Sequence, residues 1–139
     1  MAVLGVDFGL KRTGIAFSDP GEVIAFPGPV IQGDEAACLR RIAEEAAARG
    51  VTEIVIGLPR NMNGSEGPMG ARVAAFADKL RAAVPARVVT WDERLTSVQA
   101  DRAMLEGDLS RKKRKKRIDA LAAQLMLQSY LDARRRADA

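Results

Sequence analysis

Histidine is absent from the 139 residues, cysteine occurs once, and aromatic side chains make up only 4%. Without histidine there can be no His-dependent triad, no imidazole base and no His-ligated zinc, so acid-base or metal chemistry must run on carboxylates. Cys38 has no second cysteine for an internal disulfide or a thiolate cluster; its helical pattern predicts a small buried apolar residue. So few aromatics exclude a platform that stacks successive bases, whereas abundant alanine suits helices packed closely on a sheet. The chain opens without a charged leader and apolar core: Val3 to Val6 is interrupted at once by Asp7, and no apolar run approaches a membrane span. A cytoplasmic protein with no membrane contact is expected.

What is present is 47% apolar residues, enough for one core, so residues 1–139 are expected to form a single domain. Net charge is +4, from 22 basic and 18 acidic residues. Seven of the bases form the unbroken run Arg111 to Arg117; without it 15 bases face 18 acids, a balance of −3. The basicity is therefore one localised patch, fitted to a polyanion docking at one place.

Residues 2–7 are apolar on both alternating faces up to Asp7, the pattern of a central strand. Residues 13–18 and 22–26 predict two more strands around the turn Asp19-Pro20-Gly21, the second made an edge strand by Pro27 and Pro29. Asp34 is a candidate N-cap for a helix running through Leu39, Ile42 and Ala46 to a Gly50 C-cap. Strand 51–58 follows, then a helix with Met69, Val73, Phe76 and Leu80 on one face, stopped by Pro85, then strand 87–91. Thr96 and Gln99 predict a capping box opening a short helix to about Glu106, and a long helix covers roughly 112–134. Three meandering strands followed by alternating helices and strands predict a mixed α/β sheet with helices on both faces.

Asp7 ends a buried strand, a costly place for a carboxylate unless donors or a cation compensate it. Gly9 and Gly14 flank the turn bearing Lys11 and Arg12, leaving room for a phosphate to approach the backbone; a simple turn cap explains Asp7 equally well. Glu93 and Asp92 follow strand 87–91. Adjacent extended residues point oppositely, so only one of them can face Asp7, the two strand ends being expected on neighbouring strands at the carboxyl edge. A plainer explanation is pairing with Arg94 and capping of the helix near Thr96. Asp119 lies on the long helix at the border of a stripe formed by Ile118, Leu121, Leu125 and Ser129, and a pair with Lys115 would be worth only about 0.2–0.5 kcal/mol. Cations at a helix start are unfavourable by roughly 0.3–1 kcal/mol each, so the run 111–117, following Ser110, calls for an anionic partner. Three converging carboxylates would form a hard oxygen site for one or two Mg²⁺ or Mn²⁺ ions.

The segments VDFGLKRTGIA, GLPRNMNGSEG, WDERLTS and RKKRKKRIDALAAQLMLQSYLD, in this order, resemble the four successive motifs of the YqgF/RuvX family and span nearly the whole chain. The resemblance implies a ribonuclease H-like fold, a five-stranded mixed sheet in the order 3-2-1-4-5 flanked by helices. It further implies a nuclease, with maturation of the 5′ end of pre-16S rRNA in ribosome biogenesis and Holliday-junction resolution as its two alternative tasks. By motif matching, the family's catalytic and metal-holding acids fall on Asp7, Glu93 and Asp119. Lys11 and Arg12 match the family's basic turn, and Asn61, Asn63 and Gly64 its substrate-side loop; with Arg94 and the charge run Arg111, Lys112, Lys113, Arg114, Lys115, Lys116 and Arg117, they are the candidate nucleic-acid contacts. Asn63 stands where the family usually has Asp, and Ser97 where Thr is common.

Two other classes compete. The segment from Asp7 to Gly14 also resembles the phosphate loop of actin-like sugar kinases and ATPases, but those close two such domains around a nucleotide and this chain has length for one. A non-catalytic RNA-binding assembly factor would need the basic run and no acidic cluster. Pre-rRNA and branched DNA both stay open as substrates, as do endo- and exonucleolytic action, and monomer and homodimer.

Overall fold

Alternation along the first strand decides the architecture. Leu4 and Val6 point to one face of the sheet and Val3, Gly5 and Asp7 to the other, so each face needs its own apolar cover. The computed structural model describes residues 2–59, 67–92 and 111–138, and of these the side chains of 111–118 and 138 are not described. Strands β1 (Ala2–Asp7), β2 (Arg12–Ser18), β3 (Ala25–Gln32), β4 (Val51–Leu58) and β5 (Arg87–Asp92) form one sheet in the order β3-β2-β1-β4-β5. β1, β2 and β3 pair antiparallel, whereas β4 joins β1 and β5 joins β4 in parallel. This is the ribonuclease H-like mixed sheet that the resemblance implies.

Helices α1 (Glu35–Ala48) and α2 (Pro68–Ala83) cover the face of Leu4, Val6, Ile54 and Ile56. The expected Asp34 cap is present: its carboxylate accepts from the Ala37 amide at 2.8 Å. Gly50 ends the helix at φ +62°, in the left-handed region that favours glycine. Val73, Phe76 and Leu80 are buried on α2 as predicted, and Phe8 stacks on Phe76. Cys38 is buried as expected, and burial pushes its thiol above the ordinary range, where it is a weak nucleophile.

Helix α3 (Arg111–Asp138) covers the opposite face through Ala122, Ala123, Met126, Leu127 and Leu131. Its buried stripe thus runs one residue on from the expected line through Leu121, Leu125 and Ser129, which are only partly buried. The third strand also departs from expectation. Residues 19–24 form a loop and β3 runs on through Pro27 and Pro29, a course open to it because it is an edge strand with a register shift opposite Gly14 to Ala16. Among the described residues no helix is long and apolar enough to cross a membrane. The predicted helix from Thr96 to Glu106 lies outside the described residues.

Candidate active site

Asp7 is the last residue of β1 and sits half-buried directly opposite Gly14 of β2. Directly opposed residues of an antiparallel pair share a face, so Asp7 projects to the side covered by α3. A Cβ built on Gly14 would lie 2.1 Å from the Asp119 carbonyl oxygen, so the α3 backbone touches down on that glycine. Topology therefore brings Asp7 and Asp119, 112 residues apart in sequence, to neighbouring positions on one face of the sheet. The room beside Gly14, expected to admit a phosphate, is filled by the helix; a Cβ on Gly9 would likewise lie 2.2 Å from the Arg12 carbonyl. Both glycines serve close backbone packing.

Asp119 lies on the sheet-facing side of α3, one turn before Ala123, and not at the stripe's border. Its partner is Arg12, whose Nε donates to Oδ2 at 2.8 Å, with the two side chains 30% and 20% exposed. No local pattern could have signalled this pair, which spans 107 residues. Lys11 is exposed on the turn between β1 and β2.

Asp92 ends β5 with the alternation of Val88, which belongs to the α1–α2 core, whereas Val89 and Trp91 pack on the α3 side. It is therefore directed away from Asp7. The strands that lead to Asp7 and Glu93 are not the neighbours that the pattern along the chain suggested; β4 lies between β1 and β5, the order that the resemblance implies. Gly57 of β4 pairs with Trp91 and continues the register in which Val6 pairs with Ile56, so β4 presents a residue without a side chain beside Asp7. Glu93, Arg94, Asn61 and Asn63 lie outside the described residues. The run Arg111 to Arg117 forms the first two turns of α3. Among the described residues, no three acidic or sulfur side chains cluster as a metal site.

The direction of α3 places the run. The helix passes from Asp119 over Gly14, through Leu127 over Gly5, to Arg134, which pairs with Glu53 and Glu22 at the other end of the sheet. At 1.5 Å per residue, the backbone of residues 111–117 extends roughly 3–12 Å beyond Asp119, past the carboxyl edge where Asp7 stands.

The family model for RuvX, described as Holliday junction resolvase, matches residues 1–133. The chain belongs to the RuvX family. Relatives named "Putative pre-16S rRNA nuclease" include one from Pelotomaculum thermopropionicum, 45% identical, the alignment covering 98% of this chain and 90% of the relative. Another, from Caldanaerobacter subterraneus subsp. tengcongensis, is 47% identical, with 97% and 99% covered. Among solved structures, Thermus thermophilus RuvC in complex with a Holliday junction substrate superposes with a TM-score of 0.57 over 97% of this chain and 96% of that one. At 16% identity that likeness establishes the fold that the RuvX chain shares with RuvC.

Proposed function

We propose that this RuvX-family chain is a divalent-metal-dependent nuclease that hydrolyses phosphodiester bonds, and that its task is processing the 5′ end of pre-16S rRNA. The observation that carries the reading is the seating of Asp119 on Gly14, opposite Asp7, beside the end of α3 that bears the basic run. The donor set fits the ion: hard carboxylate oxygens without histidine or thiolate suit Mg²⁺ or Mn²⁺. Asp7 and Asp119 would hold it together with Glu93, which the family motif supplies. When bound, one or two such ions would activate water and neutralise the charge developing on the leaving oxygen.

The protein's own groups bind and orient the substrate. Lys11, exposed on the turn after Asp7, offers a compact point charge to a backbone phosphate. Arg111 to Arg117 extend the positive surface beyond the site, Asn61 and Asn63 join the contact set by motif, and Arg94, next to Glu93, adds a further cation. The names of the relatives carry the choice of pre-rRNA, while the description of the family model favours branched DNA as the second reading.

Cleavage of precursor RNA, single-stranded RNA and junction DNA, compared with Mg²⁺, with Mn²⁺ and with excess chelator, tests both. Precursor RNA should be cut preferentially, and chelator should stop the reaction. Asp7→Asn should lower cleavage by at least about 100-fold, the scale of losing one electrostatic stabiliser, while binding persists. Full activity in that variant or in chelator would remove the metal mechanism, and preferential cutting of junctions would reverse the substrate assignment.

A further inference from the structure

Arg12 opens β2 two residues before Gly14, so the two project from the same face of the sheet. Asp119 is consequently held twice by one strand: its main-chain carbonyl rests against Gly14, and its carboxylate accepts from Arg12 Nε. The contact uses a single carboxylate oxygen, Oδ2, at 2.8 Å. Both side chains are mostly buried, so this is not the solvated surface pair whose geometry costs nothing to lose.

We propose that Arg12 is a positioning residue for Asp119: by gripping Oδ2 it holds the carboxylate in the rotamer in which the group binds the divalent cation. This rests on Asp119 being a metal ligand. Carboxylates that bind metals are themselves held by outer hydrogen-bond partners, whose loss costs 10- to 100-fold in metal affinity. The role differs from that implied by the family motif, in which Arg12 grips the substrate backbone. A guanidinium near a cation site also repels the incoming ion, and that effect acts in the opposite direction. The two are distinguishable by sign: removing a positioning group weakens metal binding, whereas removing a competing charge strengthens it.

Mn²⁺ binding to the full chain, without nucleic acid, can be read from the loss of the free-ion resonance in electron paramagnetic spectra. Arg12→Gln should raise the Kd about 10- to 100-fold. Arg12→Lys should recover part of that loss, since an ammonium restores the charge on a flexible stem but not the planar fork. Asp119→Asn should be impaired at least as much, and Arg12→Gln combined with Asp119→Asn should bind no worse than Asp119→Asn alone, because Arg12 acts through that carboxylate. Melting curves recorded in chelator identify any variant that fails to fold. Should Arg12→Gln be such a variant, Arg12→Met, which keeps a stem but neither charge nor donor, replaces it, and wild-type Mn²⁺ affinity in that variant overturns the proposal. Affinity in Arg12→Gln equal to or tighter than wild type, with Asp119→Asn still impaired, overturns the positioning role alone. Wild-type Mn²⁺ affinity in Asp119→Asn overturns the metal reading and this inference together.

Discussion

Asp19 organises the connection between β2 and β3 with one side chain. Its carboxylate accepts from the amides of Val23 at 2.7 Å, Ile24 at 2.8 Å and Gly21 at 3.2 Å. The bonds from Ile24 and Val23 hold its pKa below the ordinary carboxylate value, because three donors favour the charged form. A depressed folded-state pKa stabilises the protein at pH values above the unfolded pKa, and the contribution fades as pH falls through the folded one. Asp19→Asn should therefore be less stable than wild type at neutral pH. The gap, measured by urea unfolding across a pH series, should narrow below about pH 4; a gap independent of pH would show that the charge is not what matters. The same loop explains why the strand expected over 22–26 does not form there. Val23 and Ile24 carry the β-branched signature of a strand, but their amides are bound by Asp19 and the two residues are 37% and 52% exposed, so hairpin pairing starts at Ala25.

At the scale of the element, α3 descends onto two glycines of the sheet, and they differ in what surrounds them. A Cβ on Gly5 would lie 2.9 Å from Leu127 Cβ, whereas one on Gly14 would lie 2.1 Å from a main-chain oxygen and 2.7 Å from its carbon. Backbone of a long helix cannot yield as a side chain can, so Gly14→Ala must lift the start of α3. Overpacking of this kind costs about 1–3 kcal/mol, and Gly14→Ala should be the costlier of the two in chemical denaturation. It should also lower cleavage more than its stability loss explains, because Asp119 moves with the helix; Gly5→Ala should keep most activity. Equal activity losses in the two would argue against the seating of Asp119 on Gly14. Asp119 was legible as a candidate because an acid beside an apolar stripe needs a reason. Its partner and the purpose of Gly14 were not, since both depend on a helix packing against a strand more than 100 residues away.

Over the whole molecule, charge is sorted along α3. At its far end Arg134 is tied to Glu22 and Glu53, and Arg135 to Asp132, so those cations are internally compensated. At its near end seven bases stand together beyond Asp119, in a molecule whose remaining residues sum to −3. The sheet order was available only through family resemblance, since alternation along the chain predicts parallel strands but not which of them are neighbours; β4 between β1 and β5 is the case in point. That the bases form one patch at the start of a long helix was legible in the sequence; where the patch lies was not, because that depends on the seating of Asp119 on Gly14. Replacing the seven bases by Gln should then weaken nucleic-acid binding and flatten its dependence on salt. For every phosphate that the variant no longer neutralises, the slope of log K against log salt should fall by about 0.9 on duplex DNA or 0.7 on a single strand. Arg135→Gln with Arg136→Gln removes two charges at the opposite end and should leave the slope nearly unchanged. Flattening in proportion to the charges removed, with the pair giving about two-sevenths of the effect of the seven, would mean that charge acts through the net value of the molecule, and the polyanion would then have no fixed path across the end of the sheet that carries Asp7.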